Sequence, residues 1–421
     1  MSFLPLDQMA YKDGPNLDAF SRLRVSEETA LFGLTQEYSY HPLVWDHYTV
    51  SGGTATHSTN TNSTVISTAG TTSGARALCQ TKVYFRYIPG KSHFIKMTGT
   101  IRKGSAPSGA AFAGIGYYDD ENGVFFRDSS AGLAVVERTN TSGSVVETAV
   151  LQANWNLDKL DGSGASGITI DPTKEQIWII DLQWLGVGRV RMGIFVNGNI
   201  VYCHQFLHAN LITAVYLRTA CLPPRYEVFN SGGAGSNISV ESICTAIDSE
   251  GGLNPLAVYP FSYSAYIGSA MSLDNTLRPV VSRRMRNTFN GLTARGIAQA
   301  TNFTVRVGTN DIYWELRYNQ TVTLGGGGTA TTNNVDATYS QSEYDTYTGA
   351  ANTVSGGILV NSGFAPAGAG STKISTSFSS IPSLLVLGRT YNNTRDNFTF
   401  SARSMTGTAT LSLAVDLLEQ Y

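Results

Sequence analysis

This 421-residue sequence has little charge and no long apolar run. Only 14% of its residues are charged, and the formal net charge is -2. A chain so close to neutrality has no general electrostatic attraction for nucleic acid or for an anionic membrane. Its apolar runs all fall well short of the roughly 18 residues that cross a bilayer as a helix. We therefore expect neither nucleic-acid binding nor membrane insertion.

Cysteine is scarce, and the N-terminus lacks the basic start and continuous apolar run of a signal peptide. We therefore expect synthesis in a cytoplasm, where cysteines stay as free thiols. The cysteines are far apart and have no CxxC spacing, which argues against zinc. They are Cys79, Cys203, Cys221 and Cys244. No cofactor is expected.

The chain is rich in glycine, with 43 residues, and in Ser, Thr and Asn, which is typical of short strands joined by many turns. The clearest strands lie at residues 176–185, 189–196 and 199–206, where apolar and polar residues alternate. Asn197-Gly198 between the last two is a strong hairpin signal, because a type I′ turn needs positive φ at both positions. We expect Asp181 to pair with Arg189 or Arg191 across the first hairpin.

Composition divides the chain into four parts. Residues 1–50 form an arm, which either closes its own domain or docks on a neighbouring subunit. Residues 51–247 hold many short strands at 8–12-residue spacing, which predicts a β-sandwich. Within them, residues 51–76 are either a linker or a polar strand pair that turns near Asn60-Thr61-Asn62. Residues 248–300 read as an irregular connector, and 301–421 as a second β domain.

The sequence predicts no catalytic residues. Gly186-x-Gly188 lacks the third glycine and the following helix of a dinucleotide site. His204 and His208 are four apart, but strand geometry does not place them on one face as a zinc helix would. A glycoside hydrolase needs two carboxylates across a cleft, and the acidic residues show no such spacing.

Two acidic loops have the oxygen-rich composition of a Ca²⁺ site, although neither fits an EF-hand. One contains Asp119 and Asp120, and the other contains Asp158 and Asp161. The alternative interpretation is that both loops are structural turns. We predict no bound metal, and these four acids are the weak candidates for a Ca²⁺ site.

Two further groups are candidates for partner binding. An arginine cluster in the connector is either one face of a β-segment or a site for an acidic partner. Tyr and Trp in the last domain are either core residues or a stacking surface for a partner or sugar. The residues are Arg278, Arg283, Arg284, Arg286, Tyr313, Trp314 and Tyr318.

Four segments resemble a family of phage and large-virus virion structural proteins. They are residues 18–26 (DAFSRLRVS), 116–126 (GYYDDENGVFF), 154–162 (NWNLDKLDG) and 183–191 (QWLGVGRVR). The resemblance covers residues 15–250 and implies a concanavalin- or laminin-G-like jelly-roll body. The expected fold class is therefore all-β, with an N-terminal arm, a concanavalin-like jelly-roll sandwich and a second C-terminal β-sandwich. The arm residues expected to dock are Asp18, Phe20, Arg22, Leu23 and Arg24.

The resemblance implies a non-enzymatic protein on the outside of a virion, as a tail fibre, spike or head decoration. Its expected partners are other virion proteins and a host surface glycan, and proteins of this kind are commonly homo-oligomers, often trimers. The alternative hypothesis is a carbohydrate-binding or carbohydrate-degrading β-sandwich protein. A third is a capsid cement that binds no receptor.

Overall fold

A computed structural model describes residues 27–69, 72–232, 236–252, 258–349, 351–368, 372–374 and 386–420. These residues form antiparallel strands joined by turns, with a short 3-10 helix at Gln152–Asn154. In this part of the chain, no helix is long and apolar enough to cross a membrane.

The first half of the chain folds into a sandwich of two large sheets. Sheet I has the order β13-β12-β11-β6-β15-β4-β3, with β1 also paired to β15, and sheet II has the order β10-β9-β8-β7-β14-β5-β2. The strands are β1 (Glu28–Thr35), β2 (Trp45–Val50), β3 (Gly53–Ser58), β4 (Ser63–Thr68), β5 (Ala75–Thr81), β6 (His93–Thr100), β7 (Ala111–Tyr118), β8 (Gly123–Ser129), β9 (Gly132–Thr139), β10 (Val146–Leu151), β11 (Gln176–Leu182), β12 (Val190–Val196), β13 (Asn199–Phe206), β14 (Pro224–Asn230) and β15 (Ser239–Glu250).

The late strands of this sandwich lie between early ones, since β14 sits between β5 and β7 while β15 sits between β4 and β6. That nesting is the arrangement of a jelly roll. The inner faces of the two sheets share one apolar core, in which the rings of Phe126 and Trp178 lie 4.7 Å apart. Burying each large apolar side chain stabilises the fold by about 1.5–3 kcal/mol.

The second half forms another sandwich. Sheet III has the order β16-β30-β21-β28, with β17 paired to β30, and sheet IV has the order β24-β25-β18-β29-β22-β27. The strands are β16 (Tyr259–Ala265), β17 (Met271–Leu273), β18 (Arg278–Met285), β19 (Thr288–Phe289), β20 (Leu292–Thr293), β21 (Ile297–Val307), β22 (Ile312–Tyr318), β23 (Thr321–Thr323), β24 (Thr329–Asn334), β25 (Ser342–Thr348), β26 (Thr353–Ser355), β27 (Ile358–Ala365), β28 (Thr372–Ile374), β29 (Asn397–Ser404) and β30 (Ala409–Gln420).

The all-β fold class with two consecutive sandwiches is confirmed, and the strand triplet is confirmed in detail. β11, β12 and β13 pair antiparallel in sequence order. Asn197 and Gly198 have φ of 52° and 81°, as a type I′ turn requires. Asp181 pairs with Arg191 in register, and their side chains form an ion pair.

The strand pairing places the domain boundaries at residues other than those predicted from composition. β1 and β2 pair with β15 and β5, so residues 28–50 belong to the first sandwich, where Phe32 and Trp45 are buried at 3% and 2% exposure. Residues 51–76 contain a strand pair, β3 and β4, whose turn places Asn62 at φ 51°. The predicted arm residues 18–24 lie outside the described residues.

The predicted connector also differs from the structure. Residues 248–300 supply β16, β17 and β18 to sheets III and IV. Composition hid β18 because several of its buried residues are polar or charged, such as Ser282 and Arg283 at 3% and 2% exposure. The second sandwich therefore begins near residue 259.

Candidate functional site

A cleft of ≈ 410 Å³ opens where the edge strands of sheets I and II part. Alternate residues of a strand share one face, so Trp45, His47 and Thr49 lie on the same face of β2. His57 of β3 pairs in register with Thr64 of β4 on the other wall. The cleft volume falls within the range of small-molecule sites. The lining residues are Tyr40, Pro42, Trp45, Asp46, His47, Thr49, Ala55, His57, Thr64, Lys82 and Thr390.

Aromatic rings form part of the cleft wall. The Tyr40 ring meets the His47 ring edge-on at a centroid distance of 4.8 Å and lies 6.5 Å from the His57 ring. Trp45 packs edge-on against Phe32 at 5.9 Å and so is fixed by the core behind it. Tyr40 is 42% exposed and is therefore accessible to a ligand.

Both walls of the cleft hold buried polar atoms that lack a hydrogen-bond partner among the described residues. They are Trp45 Nε1, Thr64 Oγ1 and both ring nitrogens of His47 and of His57. Trp45 is 2% exposed and Thr64 is 1% exposed. An unpaired buried polar group typically destabilises a fold by about 1–3 kcal/mol, so native proteins keep few of them. Trp45, His47, His57 and Thr64 all line the cleft, so these atoms lie together around it.

The His47 side chain in this cleft is neutral at neutral pH. Burial, and then the neighbouring His57, lower the pKa of His47 to about 4. A neutral imidazole offers one hydrogen-bond donor and one acceptor. His47 therefore meets a ligand at neutral pH as a two-way hydrogen-bonding group, not as a cation.

The second sandwich supplies the far end of the cleft through residues 386–396. The backbone N–H of Tyr391 donates to Asp46 Oδ2 at 2.5 Å, and its ring lies 4.6 Å from that of Tyr48. Lys82 Nζ lies 3.8 Å from Asp396 Oδ1. Burial raises the pKa of the Asp46 carboxyl. The cleft is thus bounded by both sandwiches.

Tyr391 also closes a charge network on the outer face of sheet II, which we call the Tyr391 clamp: Arg76, Asp120, Arg225, Glu227 and Tyr391. The Tyr391 hydroxyl donates to Asp120 Oδ2 at 2.6 Å, and Arg225 lies 2.6 Å from Asp120 and 3.5 Å from Glu227. Although burial opposes the shift, Arg225 and Arg76 hold the pKa of Asp120 well below its usual range. Arg225 and Glu227 are each 1% exposed.

The acidic loops form turns. Asp119 Oδ1 accepts the backbone N–H groups of Glu121 and Asn122, both at 2.8 Å. Asp158 accepts the N–H groups of Leu160 and Ser166, and Asp161 accepts that of Ser163. Asp120 belongs to the Tyr391 clamp. Across the described ranges, no cluster of three or more His, Cys, Asp or Glu has the geometry to hold a metal ion.

The four predicted arginines all have partners within the second sandwich. Arg278 and Arg284 form ion pairs with acidic side chains, whereas Arg283 is 2% exposed and donates to a carbonyl at 3.1 Å. Arg286 donates to two carbonyls at 3.2 and 3.1 Å. The partners are Asp274 for Arg278, Glu343 and Asp345 for Arg284, Ala298 for Arg283, and Ala337 and Ser340 for Arg286.

The three predicted aromatics have different environments. Trp314 and Tyr318 are core residues at 5% and 1% exposure. Tyr313 faces outward, where its hydroxyl donates to Glu315 Oε1 at 3.0 Å and its ring lies 5.3 Å from Phe364, which is 68% exposed. Tyr313 alone of the three is placed to meet a partner.

His204 and His208 serve separate contacts. His208 Nε2 binds Glu137 Oε2 at 2.8 Å, and its ring stacks on Tyr216 at 3.9 Å. Although burial opposes the shift, Glu137 raises the pKa of His208. His204 Nδ1 accepts the backbone N–H of Asn156 at 3.3 Å.

Sequence reasoning missed the cleft because it assigned its residues to an arm, a polar segment and a distant domain. The available signal was local. Trp45 and His47 stand two apart just before a Gly-containing turn, and His57 follows on the next strand. Two histidines on consecutive strands, β2 and β3, would have indicated that these strands line one cleft.

No protein-family model and no curated protein matches the chain. Solved structures similar to it include an endo-1,3-beta-glucanase from Streptomyces sioyaensis. The two sequences are 10% identical, the match covers 53% of this chain and 97% of the glucanase chain, and the TM-score is 0.37. Lectin I-B4 from Griffonia simplicifolia has 11% identity, 53% and 99% coverage and a TM-score of 0.31. A carbohydrate esterase from the Shiga toxin-encoding bacteriophage phi24B has 11% identity, 53% and 99% coverage and a TM-score of 0.33. Likeness at this level carries no argument about ligand or chemistry.

Proposed function

We propose that this protein binds a carbohydrate in the cleft between β2 and β3. The observation that carries the proposal is the set of unpartnered polar atoms beside the exposed Tyr40 ring. A sugar hydroxyl both donates and accepts, which matches the Trp45 N–H donor, the Thr64 hydroxyl and the two-way imidazole of His47. The apolar face of a sugar ring suits packing on an aromatic side chain.

The proposal assigns binding and no catalysis. Hydrolysis of a glycosidic bond uses two carboxylates about 5–9.5 Å apart. Among the described residues that line the cleft, Asp46 is the single carboxylate, and its Oδ2 already accepts the Tyr391 N–H. The two acids of the Tyr391 clamp, Asp120 and Glu227, are paired with arginines and so are not available to a substrate.

A glycan array followed by calorimetric titration tests the proposal. Thr64→Val keeps the shape of the side chain and removes its hydroxyl, so it should weaken binding of an array hit about tenfold, as expected for one buried hydrogen bond. His57→Ala should also weaken it. The matched control is Thr56→Val, because Thr56 is exposed on β3 and does not line the cleft. Unchanged affinity in Thr64→Val and His57→Ala would refute the cleft as the site.

A second proposal is that the protein is a component of a virion exterior that uses its glycan site for attachment. The sequence resemblance over residues 15–250 supports this role. The Tyr391 clamp is consistent with this role, since its hydrogen bond from Tyr391 to Asp120 joins the two sandwiches. Partners would be other virion proteins, and the resemblance also implies a homo-oligomer.

Labelled antibody on purified particles tests the second proposal. We expect label at a defined exterior position, at the capsid, neck or tail. Removing residues 1–26 should abolish particle binding and leave both sandwiches folded, because β1 begins at Glu28. A truncated chain that still binds particles would refute the docking role of the arm. Label found only in the host cell fraction would refute the virion role.

A further inference from the structure

β10 differs from two of the other strands at sheet edges, β13 and β27. β13 ends sheet I, but Asn156 covers it: the Gln205 N–H donates to Asn156 Oδ1 at 2.9 Å, and Asn156 Nδ2 donates to the Gln205 carbonyl at 3.0 Å. β27 ends sheet IV and faces a register shift between Leu316 and Arg317. Covering segments and bulges are the devices by which proteins prevent unwanted pairing at sheet edges.

β10 ends sheet II without a bulge, and Trp155 donates to one of its carbonyls, that of Val150. Its six residues pair with β9 from Val146↔Thr139 to Leu151↔Ala134 with no register shift. Val145, Val146 and Leu151 are 49%, 50% and 38% exposed. A regular, apolar edge strand is a template for another strand.

The one charge on this strand does not repel a partner. The Glu147 carboxylate binds Arg127 at 2.7 Å and Arg138 at 2.7 Å, both within its own sheet. Its charge is therefore compensated before any second strand arrives. A lone charge at an edge usually works as a deterrent, and here that function is cancelled.

The segment from Val145 to Leu151 is complementary to itself. Antiparallel pairing about Thr148 sets Val146 opposite Val150 and Val145 opposite Leu151, apolar against apolar, and places two threonines side by side. Such cross-strand pairs each contribute about 0.2–1 kcal/mol. The Val150 carbonyl also accepts the Trp155 indole N–H at 3.1 Å, which leaves its second lone pair for a partner.

We propose that β10 is a homotypic docking edge, at which two copies of this chain pair antiparallel about a two-fold axis. Two seven-stranded sheets then become one continuous sheet of fourteen strands (7 + 7). Self-complementarity identifies a second copy as the partner, because a two-fold interface presents the same patch from both sides.

Sedimentation velocity of the full chain across a hundredfold concentration range tests the proposal. The expected result is a monomer–dimer equilibrium that Val146→Lys shifts at least tenfold toward monomer. Val187→Lys is the matched control, since Val187 is also exposed, at 39%, in the turn between β11 and β12. A wild type that is monomeric throughout, a trimer, or a dimer unaffected by Val146→Lys would overturn the proposal.

Cysteine crosslinking locates the axis. Thr148→Cys should give a disulfide-linked dimer under mild oxidation, whereas Ser130→Cys, in the exposed turn between β8 and β9, should not. The wild-type chain under the same oxidant controls for its four native cysteines. Both variants change surface residues, so circular dichroism should match the wild type. Equal crosslinking of the two variants would contradict pairing through β10.

Discussion

The cleft and the Tyr391 clamp are neighbours with opposite chemistry. The cleft is lined by residues of β2, by Lys82 after β5 and by Thr390 of the second sandwich. The clamp contains Arg76 of β5 and Tyr391 of the second sandwich, and Tyr391 also bonds to Asp46 of β2. In the clamp, the buried guanidinium of Arg225 meets Asp120 and Glu227. In the cleft, Trp45 and Thr64 are as deeply buried but have no hydrogen-bond partner among the described residues.

This difference separates stability from binding. A buried polar group that is fully paired holds the fold in one arrangement, and its loss destabilises the protein. A buried polar group left unpaired destabilises the free protein and gains a partner only when a ligand arrives. We therefore expect substitutions in the clamp to reduce stability, and substitutions in the cleft to reduce binding with little loss of stability.

The largest effect should come from Arg225→Met. It leaves Glu227, which is 1% exposed, with Arg76 as its remaining arginine partner, and it removes the donor to the buried Gln80 Oε1. Breaking a buried ion pair typically destabilises by about 3–5 kcal/mol, and we expect the lower end of that range here because Arg76 stays in place. The measurement is urea unfolding followed by tryptophan fluorescence. The double variant Arg225→Met/Glu227→Leu should recover most of the loss, because Arg76 still pairs with Asp120 at 2.6 Å. A single variant within 1 kcal/mol of wild type would show that the clamp is not structural.

Tyr391→Phe should have the next largest effect. It removes the hydroxyl that donates to Asp120, and a hydrogen bond to a charged group contributes about 1.5–3 kcal/mol. Calorimetry should show the two sandwiches unfolding in more separated transitions than in wild type. Tyr38→Phe serves as the control, since Tyr38 is 82% exposed. Identical thermograms for wild type and Tyr391→Phe would mean that other contacts join the sandwiches.

Acid should reduce the stability of the folded protein through protonation of His47. Its folded pKa of about 4 lies below the ordinary 6.5, so the unfolded chain takes up the proton first as pH falls. The contribution to stability is therefore fully present above pH 6.5 and is lost between pH 6.5 and 4. His47→Asn should flatten the pH dependence of stability in that window by on the order of 1–3 kcal/mol. His93, whose pKa burial also lowers to about 4, and His204, whose pKa burial also lowers, contribute to the slope that remains. Parallel curves for the two proteins would contradict the buried neutral state of His47.

The smallest effect on stability should come from Thr64→Val. Removing a buried hydroxyl that has no partner should leave the free energy of unfolding unchanged or raise it by up to about 1 kcal/mol. The same substitution should weaken binding of the glycan about tenfold, so the affinity falls while the stability does not. Thr56→Val should change neither. A destabilisation above 2 kcal/mol would mean that Thr64 has a partner in the free protein.

Local pattern predicted the fold well where neighbours in sequence are neighbours in space. β11 to β13, their type I′ turn and the pair Asp181–Arg191 follow from alternation and one Asn-Gly dipeptide. The jelly-roll body followed from the family resemblance. In contrast, β1 and β2 join strands more than 25 residues away, so residues 28–50 appeared to be a separate arm.

The far end of the candidate site depends on contacts that no local pattern carries. Thr390 reaches the cleft from a different sandwich, and Tyr391 meets Asp120 across 271 positions of sequence. The arginine cluster misled for a related reason. Its charges looked available because Glu343 and Asp345, which pair with Arg284, lie about 60 residues later, on β25.

The indole N–H resonances of the five tryptophans test the central claim most directly. Trp155, Trp178 and Trp184 already donate to backbone carbonyls, whereas Trp45 and Trp314 have no partner among the described residues, and only Trp45 lines the cleft. Titration with a bound glycan should shift the Trp45 signal saturably and leave the other four in place. A Trp45 signal that stays fixed while the glycan binds would contradict the cleft as the binding site.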